Sequence, residues 1–228
     1  MVLMKGRKMK KTDEFKSMVA KTAVNLVTEN IVLGVGTGTT VEYFIKELGK
    51  KSVTIECAVS SSNATSKLLE NAGIKVEDYN NVGNLDIYID GADEATKYGY
   101  LIKGGGGALT REKILASGCQ KFICMVDSTK IVEKLGNFPL PIEVIPMARS
   151  HVARELVKLG GSPEWRMDTV TDNGNWILDV FNLDLSNSSE IESKLNNIPG
   201  VVCNGIFAKR PCDKLLVGGE SGVTEITP

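Results

Sequence analysis

Residues 31–48 read IVLGVGTGTTVEYFIKEL, and this stretch decides the fold. Ile31 to Val35 form a short apolar run suited to a buried strand, after which Val41, Phe44, Ile45 and Leu48 recur on one helical face. Gly34 falls within the first pattern and Gly36 and Gly38 lie between the two, so the unit is strand, glycine-rich turn, helix. Its spacing is G-x-G-x-G, where a dinucleotide site needs G-x-G-x-x-G, and it lacks the Gly-Lys-Ser/Thr of a P-loop. The hydroxyls of Thr37, Thr39 and Thr40 at a helix N-terminus still offer a seat for one phosphate. A tight turn with a threonine cap is the plainer reading of the same residues.

The alternation extends in both directions. Upstream, Thr12 is a candidate N-cap for a helix with Phe15, Met18, Val19, Leu26 and Val27 at helical spacing. Downstream come TIECAVS as strand, SSNATSKLLENAG as a capped helix, IKVED, LDIYID and YLIK as strands, LTREKILASG as helix and KFICMVD as strand. Strands separated by helices predict an α/β fold with a Rossmann-like, doubly wound, mainly parallel sheet covered on both faces. Ligands of such sheets bind at the carboxyl ends of the strands.

After about residue 135 the order changes to PIEVIP, SHVARELVKLGG, EWRMDTV, NWILDVF, SSEIESKLNNIPG and VVCNGIFA, with an Asn173-Gly174 hairpin signal in TDNGN. That is β-α-β-β-α-β, a smaller ferredoxin-like α+β domain. The predicted division is therefore 1–135, completed by 209–228, and 136–208.

Composition narrows the function. Lysine and arginine total 27 against 28 acids, a net charge of −1, so no global field recruits nucleic acid or an anionic membrane. The lead-in MVLMKGRKMKK is basic, but the charged TDEFKSMVAK that follows excludes a signal peptide, and no apolar run reaches the ~18 residues of a membrane span. A cytoplasmic protein is expected, with residues 1–11 as a disordered extension. Five cysteines include no C-x-x-C pair and suggest reduced, mostly buried thiols. The single histidine, His151, follows the candidate N-cap Ser150, which excludes a histidine-rich metal site.

Four segments carry the chemistry. GTGTT is the phosphate seat. SSSNATS, 60–66, reads first as a helix cap, although its hydroxyls suit a pocket wall. In YIDGADEAT, Asp90 ends a strand and Asp93 follows after Gly91 and Ala92; two acids at a sheet edge repel unless they serve a ligand or a proton, and a Mg²⁺ or Ca²⁺ site is the main competing reading. In LIKGGGGALTRE, Lys103 ends a strand, Gly104, Gly105 and Gly106 let a ligand approach the backbone, and Glu112 falls in the first turn of a helix. The helix dipole favours ionised Glu112 as a general base, and Lys103 suits an oxyanion. Together the segments fit proton transfer beside the carbonyl of a small phosphorylated sugar, with no metal or nucleotide required.

GVGTGTT, AVSSSNAT, IDGADE, IKGGGGALTREKI, KFICMVDSTK, GNFPLPIEVIPMARS and TDNGN, in this order, closely resemble the A-type ribose-5-phosphate isomerases from about Thr12 to the C-terminus. The resemblance implies an aldose-ketose isomerase interconverting D-ribose 5-phosphate and D-ribulose 5-phosphate through a cis-enediolate, with Glu112 as base. It also implies that Asp90 and Asp93 handle the ring-oxygen and hydroxyl protons and that Lys103 steadies the enediolate. The implied substrate contacts are Thr37, Gly38, Thr39, Thr40, Asp90, Gly91, Ala92, Asp93, Lys103, Gly104, Gly105, Gly106 and Lys130, with Lys16 helping to hold the phosphate. No metal or organic cofactor and a homodimer or homotetramer follow from the same resemblance. Thr39 stands where serine is common and Gly107 where alanine is expected. A sugar-phosphate sensor on the same fold would need the anion seat without Glu112 beside Lys103, and a deaminase or lactonase would need more histidine chemistry than His151 provides.

Overall fold

All four residues of the first strand, β1 (Val32–Val35), are buried, as expected of a strand with both sheet faces covered. A computed structural model describes residues 11–51 and 53–228. Before β1 comes helix α1 (Lys11–Val24); after it come α2 (Thr39–Leu48), β2 (Cys57–Ser60), α3 (Asn63–Asn71) and β3 (Leu85–Gly91). The short strands β4 (Glu94–Ala95) and β5 (Leu101–Ile102) precede α4 (Leu109–Ser117) and β6 (Cys119–Asp127). Then follow β7 (Leu140–Val144), α5 (Arg149–Lys158), β8 (Ser162–Trp165), β9 (Trp176–Phe181), α6 (Ser188–Asn196) and β10 (Val201–Asn204). The chain ends with β11 (Ile206–Phe207), β12 (Lys214–Gly219) and β13 (Gly222–Ile226).

The main sheet has the order β13-β12-β6-β3-β1-β2, parallel except for the edge strand β13. Strand β1 lies between β2 and β3, so the chain leaves it in opposite directions and a crevice opens at the carboxyl ends of β1 and β3. Side chains alternate between the faces. Ile123 and Met125 join the core under α1 and α2, whereas Phe122, Cys124 and Val126 join the core on the α4 side. Val41, Phe44, Ile45 and Leu48 of α2 are all buried, and each such side chain contributes about 1.5–3 kcal/mol of transfer free energy.

Strands β7 to β10 form a separate antiparallel sheet in the order β10-β7-β9-β8. With α5 and α6 this is the β-α-β-β-α-β unit, and its apolar core also takes in Ile102 of β5 and Ile206 of β11. A third sheet, β11-β5-β4, pairs β11, which follows β10, with two strands that lie between β3 and β6 in the chain.

Several local expectations are corrected. Lys11 already belongs to α1, so Thr12 is inside the helix rather than its cap; the rest of the basic lead-in lies outside the described residues. IKVED makes a single bridge from Val76 to Ala58, because Asp78 turns the chain by accepting the Asn80 N–H at 2.7 Å. YLIK pairs with β4 and β11 and not with the parallel sheet. Ser150 sits inside α5, whose cap position is Ala148, because the preceding turn Pro146–Ala148 runs straight into the helix. EWRMDTV stops being a strand at Trp165, and Asp168 takes a left-handed φ of 59°. VVCNGIFA breaks at Gly205, where a Cβ would run into the Lys103 carbonyl. The close approach lets the Lys103 N–H donate to Gly205 O at 2.9 Å and the Gly205 N–H donate to Pro141 O at 2.8 Å, which joins the residue following β5 to the smaller sheet.

Candidate active site

At the end of β1, Gly36 donates its N–H to Ile89 O at 2.9 Å, and a Cβ there would occupy the space of the Asp90 carboxylate. The turn then reaches Gly38, which has a φ of 110° and precedes α2 without a side-chain cap. The first amides of α2 therefore face the crevice. Lys16 of α1 donates from Nζ to Thr39 Oγ1 at 2.9 Å, bringing an ammonium to the same end of the helix. Behind the turn, Thr37 Oγ1 contacts Ser61 Oγ at 2.8 Å and Ser62 Oγ at 2.9 Å. Ser62 also caps α3 by accepting the Thr65 N–H at 3.1 Å. The serine cluster thus supports the turn from below and does not line the cleft.

The carboxyl end of β3 supplies Asp90, which is fully buried. Its Oδ1 accepts N–H bonds from Gly91 at 2.7 Å and Thr37 at 3.1 Å. Its Oδ2 accepts the Tyr88 hydroxyl and pairs with Lys103 Nζ at 2.7 Å. Both oxygens are occupied, and Asp90 is absent from the cleft wall, so direct contact with a sugar oxygen does not fit this geometry. The carboxylate instead holds Lys103. Burial and the Asp90 charge raise the Tyr88 pKa well above its usual value, keeping its hydroxyl a donor.

Asp93 is closer to solvent and accepts the Gly105 N–H at 2.7 Å. Lys103 donates to Gly91 O at 2.6 Å and lies 3.4 Å from Glu112 Oε2. Burial alone would lower the Lys103 pKa, but the charges of Asp90 and Glu112 outweigh it and raise the ammonium above its ordinary value. Glu112 reaches the site from the first turn of α4 and is buried. Its Oε2 is the one buried side-chain polar atom among the described residues that has no hydrogen-bond partner. Burial raises its pKa to about 8 against the opposing pull of Lys103, with Asp90 and Asp93 adding to the rise. The helix dipole expected from the sequence to favour the ionised form is therefore opposed by desolvation of the same carboxylate. Loss of solvation inside the fold exceeds what the first turn of an exposed helix supplies.

These groups enclose a cleft of about 160 Å³. Thr37 to Thr40, Gly91 to Asp93, Lys103 to Gly106 and Glu112 line it, and Lys16 and Lys130 add positive charge to its wall. Every residue expected at the site except Asp90 lines this cleft, whereas His151 is exposed on α5. Asp127 also lines it. This residue ends β6 and caps the turn Ser128–Lys130 by accepting the Thr129 N–H at 3.0 Å. Its place after an apolar strand was the available signal. Tyr88 carried no signal, since it reads as one more core residue of β3.

No group of three or more His, Cys, Asp or Glu suited to a metal occurs among the described residues. More directly, the cationic place beside Asp90 is taken by Lys103. All five cysteines are free, four of them buried. No helix of the described residues is long and apolar enough to cross a membrane.

Comparison with known proteins matches this arrangement. Residues 57–222 fit the family described as ribose 5-phosphate isomerase A (phosphoriboisomerase A). The chain belongs to the ribose-5-phosphate isomerase A family. A relative named ribose-5-phosphate isomerase A, from Legionella pneumophila (strain Corby), is 57% identical over 213 residues, covering 93% of this chain and 99% of its own. The crystal structure of ribose 5 phosphate isomerase A from Neisseria gonorrhoeae superposes with a TM-score of 0.95 at 45% identity, covering 97% of this chain and 99% of that one. A D-ribose-5-phosphate isomerase in complex with phospho-erythronic acid gives a TM-score of 0.93 at 37% identity, over 96% of this chain and all of its own. Against the family expectation of alanine, Gly107 has a φ of 82° and donates its N–H to Gly104 O at 2.9 Å. Glycine therefore suits the left-handed turn.

Proposed function

We propose that this chain interconverts D-ribose 5-phosphate and D-ribulose 5-phosphate through a cis-enediolate, as the names of its relatives suggest. The observation that carries the reading is Glu112 Oε2, buried at the cleft and without a hydrogen-bond partner, 3.4 Å from the Lys103 ammonium.

The phosphate sits at the N-terminus of α2, where free amides and the helix dipole attract it, with Lys16 and Lys130 supplying positive charge. This end fixes the sugar so that its C1 and C2 lie beside Glu112. Asp93, held by Gly105, exchanges protons with the ring oxygen and the hydroxyls during ring opening. Ionised Glu112 takes the proton from C2, and that electron pair becomes the C1–C2 double bond. The carbonyl pair moves onto the C1 oxygen and the C2 hydroxyl proton passes to the C1 oxygen, so the enediolate carries its negative charge on the oxygen of C2. Glu112 then returns the proton to C1 as the C2 carbonyl forms. The raised pKa makes Glu112 a stronger base than an ordinary carboxylate and leaves a workable ionised fraction near neutral pH. Lys103, held by Asp90 and Gly91, stabilises the negative oxygen of the intermediate. Asp90 acts through Lys103 and has no direct contact with the sugar.

The same reading carries a cytoplasmic enzyme acting as a homodimer or homotetramer, the latter measurable by light scattering. The deciding experiment is a coupled assay for ribulose 5-phosphate formed from ribose 5-phosphate, with and without EDTA. Turnover that survives the chelator is expected. No product would overturn the proposal, and loss of activity with EDTA would restore a metal role for Asp90 and Asp93.

A further inference from the structure

The glycine segment of the cleft is gripped from outside by the smaller sheet. Arg166 lies just past β8 and forms a two-pronged pair with Asp179 of β9, from Nε to Oδ2 at 2.8 Å and from Nη2 to Oδ1 at 2.5 Å. Both side chains are mostly shielded, at 19% and 17% exposure. This fixes the guanidinium plane and leaves Nη1 free to use its two hydrogens elsewhere. They go to consecutive carbonyls of the glycine segment, Gly104 O at 3.2 Å and Gly105 O at 3.1 Å.

In a planar trans peptide the C=O and the following N–H point in opposite directions. Holding Gly104 O on the outside therefore aims the Gly105 N–H inward, where it donates to Asp93 at 2.7 Å. Holding Gly105 O aims the Gly106 N–H inward in the same way. Gly106 lines the cleft, and its N–H has no protein acceptor among the described residues. Gly104 has a φ of 104°, and three successive glycines provide no side-chain packing to resist rotation of these peptides.

We infer that Arg166 is a positioning residue for the isomerisation: by clamping the carbonyls of Gly104 and Gly105, it presents the Gly106 N–H to a substrate oxygen and seats Asp93. This rests on the function proposed above and gives the smaller sheet a part in it. Lysine cannot replace the fork, because one ammonium cannot hold two carbonyls and both carboxylate oxygens in one plane.

The test compares the full-length wild type with Arg166→Met, Arg166→Lys and Asp179→Asn. Steady-state kinetics with ribose 5-phosphate, thermal midpoints and amide hydrogen exchange of the 103–108 segment are measured for each. For Arg166→Met, KM is expected to rise about tenfold, the size of one charge-assisted hydrogen bond, with kcat changed by less than about threefold. Exchange at Gly105 and Gly106 quickens while α1 and α2 keep wild-type rates. Arg166→Lys recovers the thermal midpoint but keeps the raised KM, which a purely structural role would not produce. An unchanged KM and unchanged exchange in folded Arg166→Met would overturn the inference, as would full rescue of KM by lysine. If Arg166→Met does not fold, Asp179→Asn loosens the fork with Arg166 in place, and the same two readouts decide. The exchange measurement needs no turnover, so it judges the clamp even if the wild type fails to isomerise ribose 5-phosphate, a result that would count against the proposed function alone.

Discussion

Glu112 and Glu143 are both buried glutamates, at 4% and 0% exposure, yet their surroundings differ in kind. Glu143, on β7, is met by the hydroxyls of Thr110 and Thr171 and by the amides of Asn173 at 3.1 Å and Asn175 at 2.9 Å. Four neutral donors satisfy it, and they join α4 to the turn between β8 and β9. Glu112 has a lysine 3.4 Å away and an oxygen left without a hydrogen bond. A buried carboxylate with its full set of donors stabilises one arrangement of the chain. One left short of donors retains a demand for a proton, and at a cleft that demand is available to a substrate.

The largest effect that sharpens this contrast is on turnover. Glu112→Gln is expected to lower kcat by a factor of about 10² to 10⁴ while KM for ribose 5-phosphate stays within a fewfold of wild type. Near-normal turnover, read in the coupled assay, would break the comparison. Glu143→Gln should do the reverse. Its new NH₂ faces donors, so unfolding free energy falls by about 1–3 kcal/mol in chemical denaturation, with kcat within a fewfold of wild type. A large kcat loss with unchanged stability would exchange the two roles.

A smaller effect has a sign fixed by the raised pKa of Glu112. Its folded value of about 8 lies above the ordinary value of 4.5, so between these pH values the folded state binds more protons than the unfolded state and stability falls as pH rises. Glutamine removes that slope. The thermal midpoint of Glu112→Gln, relative to wild type, is therefore expected to climb from pH 5 to pH 9 by a few degrees. A difference that stays flat or declines would mean the buried carboxylate is not strained by ionisation.

The same contrast explains what could be read in the sequence. The spacing of Val41, Phe44, Ile45 and Leu48 and the apolar run of β1 depend on local periodicity, and both elements formed as spaced. Placement at strand ends brought Thr37, Asp93, Lys103 and Glu112 to one cleft for the same reason. The properties set by tertiary neighbours were hidden. Asp90 looked like a free acid because Tyr88, Thr37 and Lys103 converge on it only in the fold. The Glu112 pKa depends on burial, which the first turn of α4 does not encode alone. EWRMDTV looked like a continuous strand because nothing near Arg166 in sequence indicates that its side chain reaches Gly104 and Gly105.

The most direct test of the central claim is the pH dependence of kcat/KM for ribose 5-phosphate in wild type and Glu112→Gln, because it reads the protonation of the proposed base in the free enzyme. The expected wild-type profile has a limb that rises with pH around an apparent pKa of about 8 and is missing from the residual activity of the variant. A limb centred near the ordinary glutamate value of 4.5, or one that persists unchanged in Glu112→Gln, would contradict it.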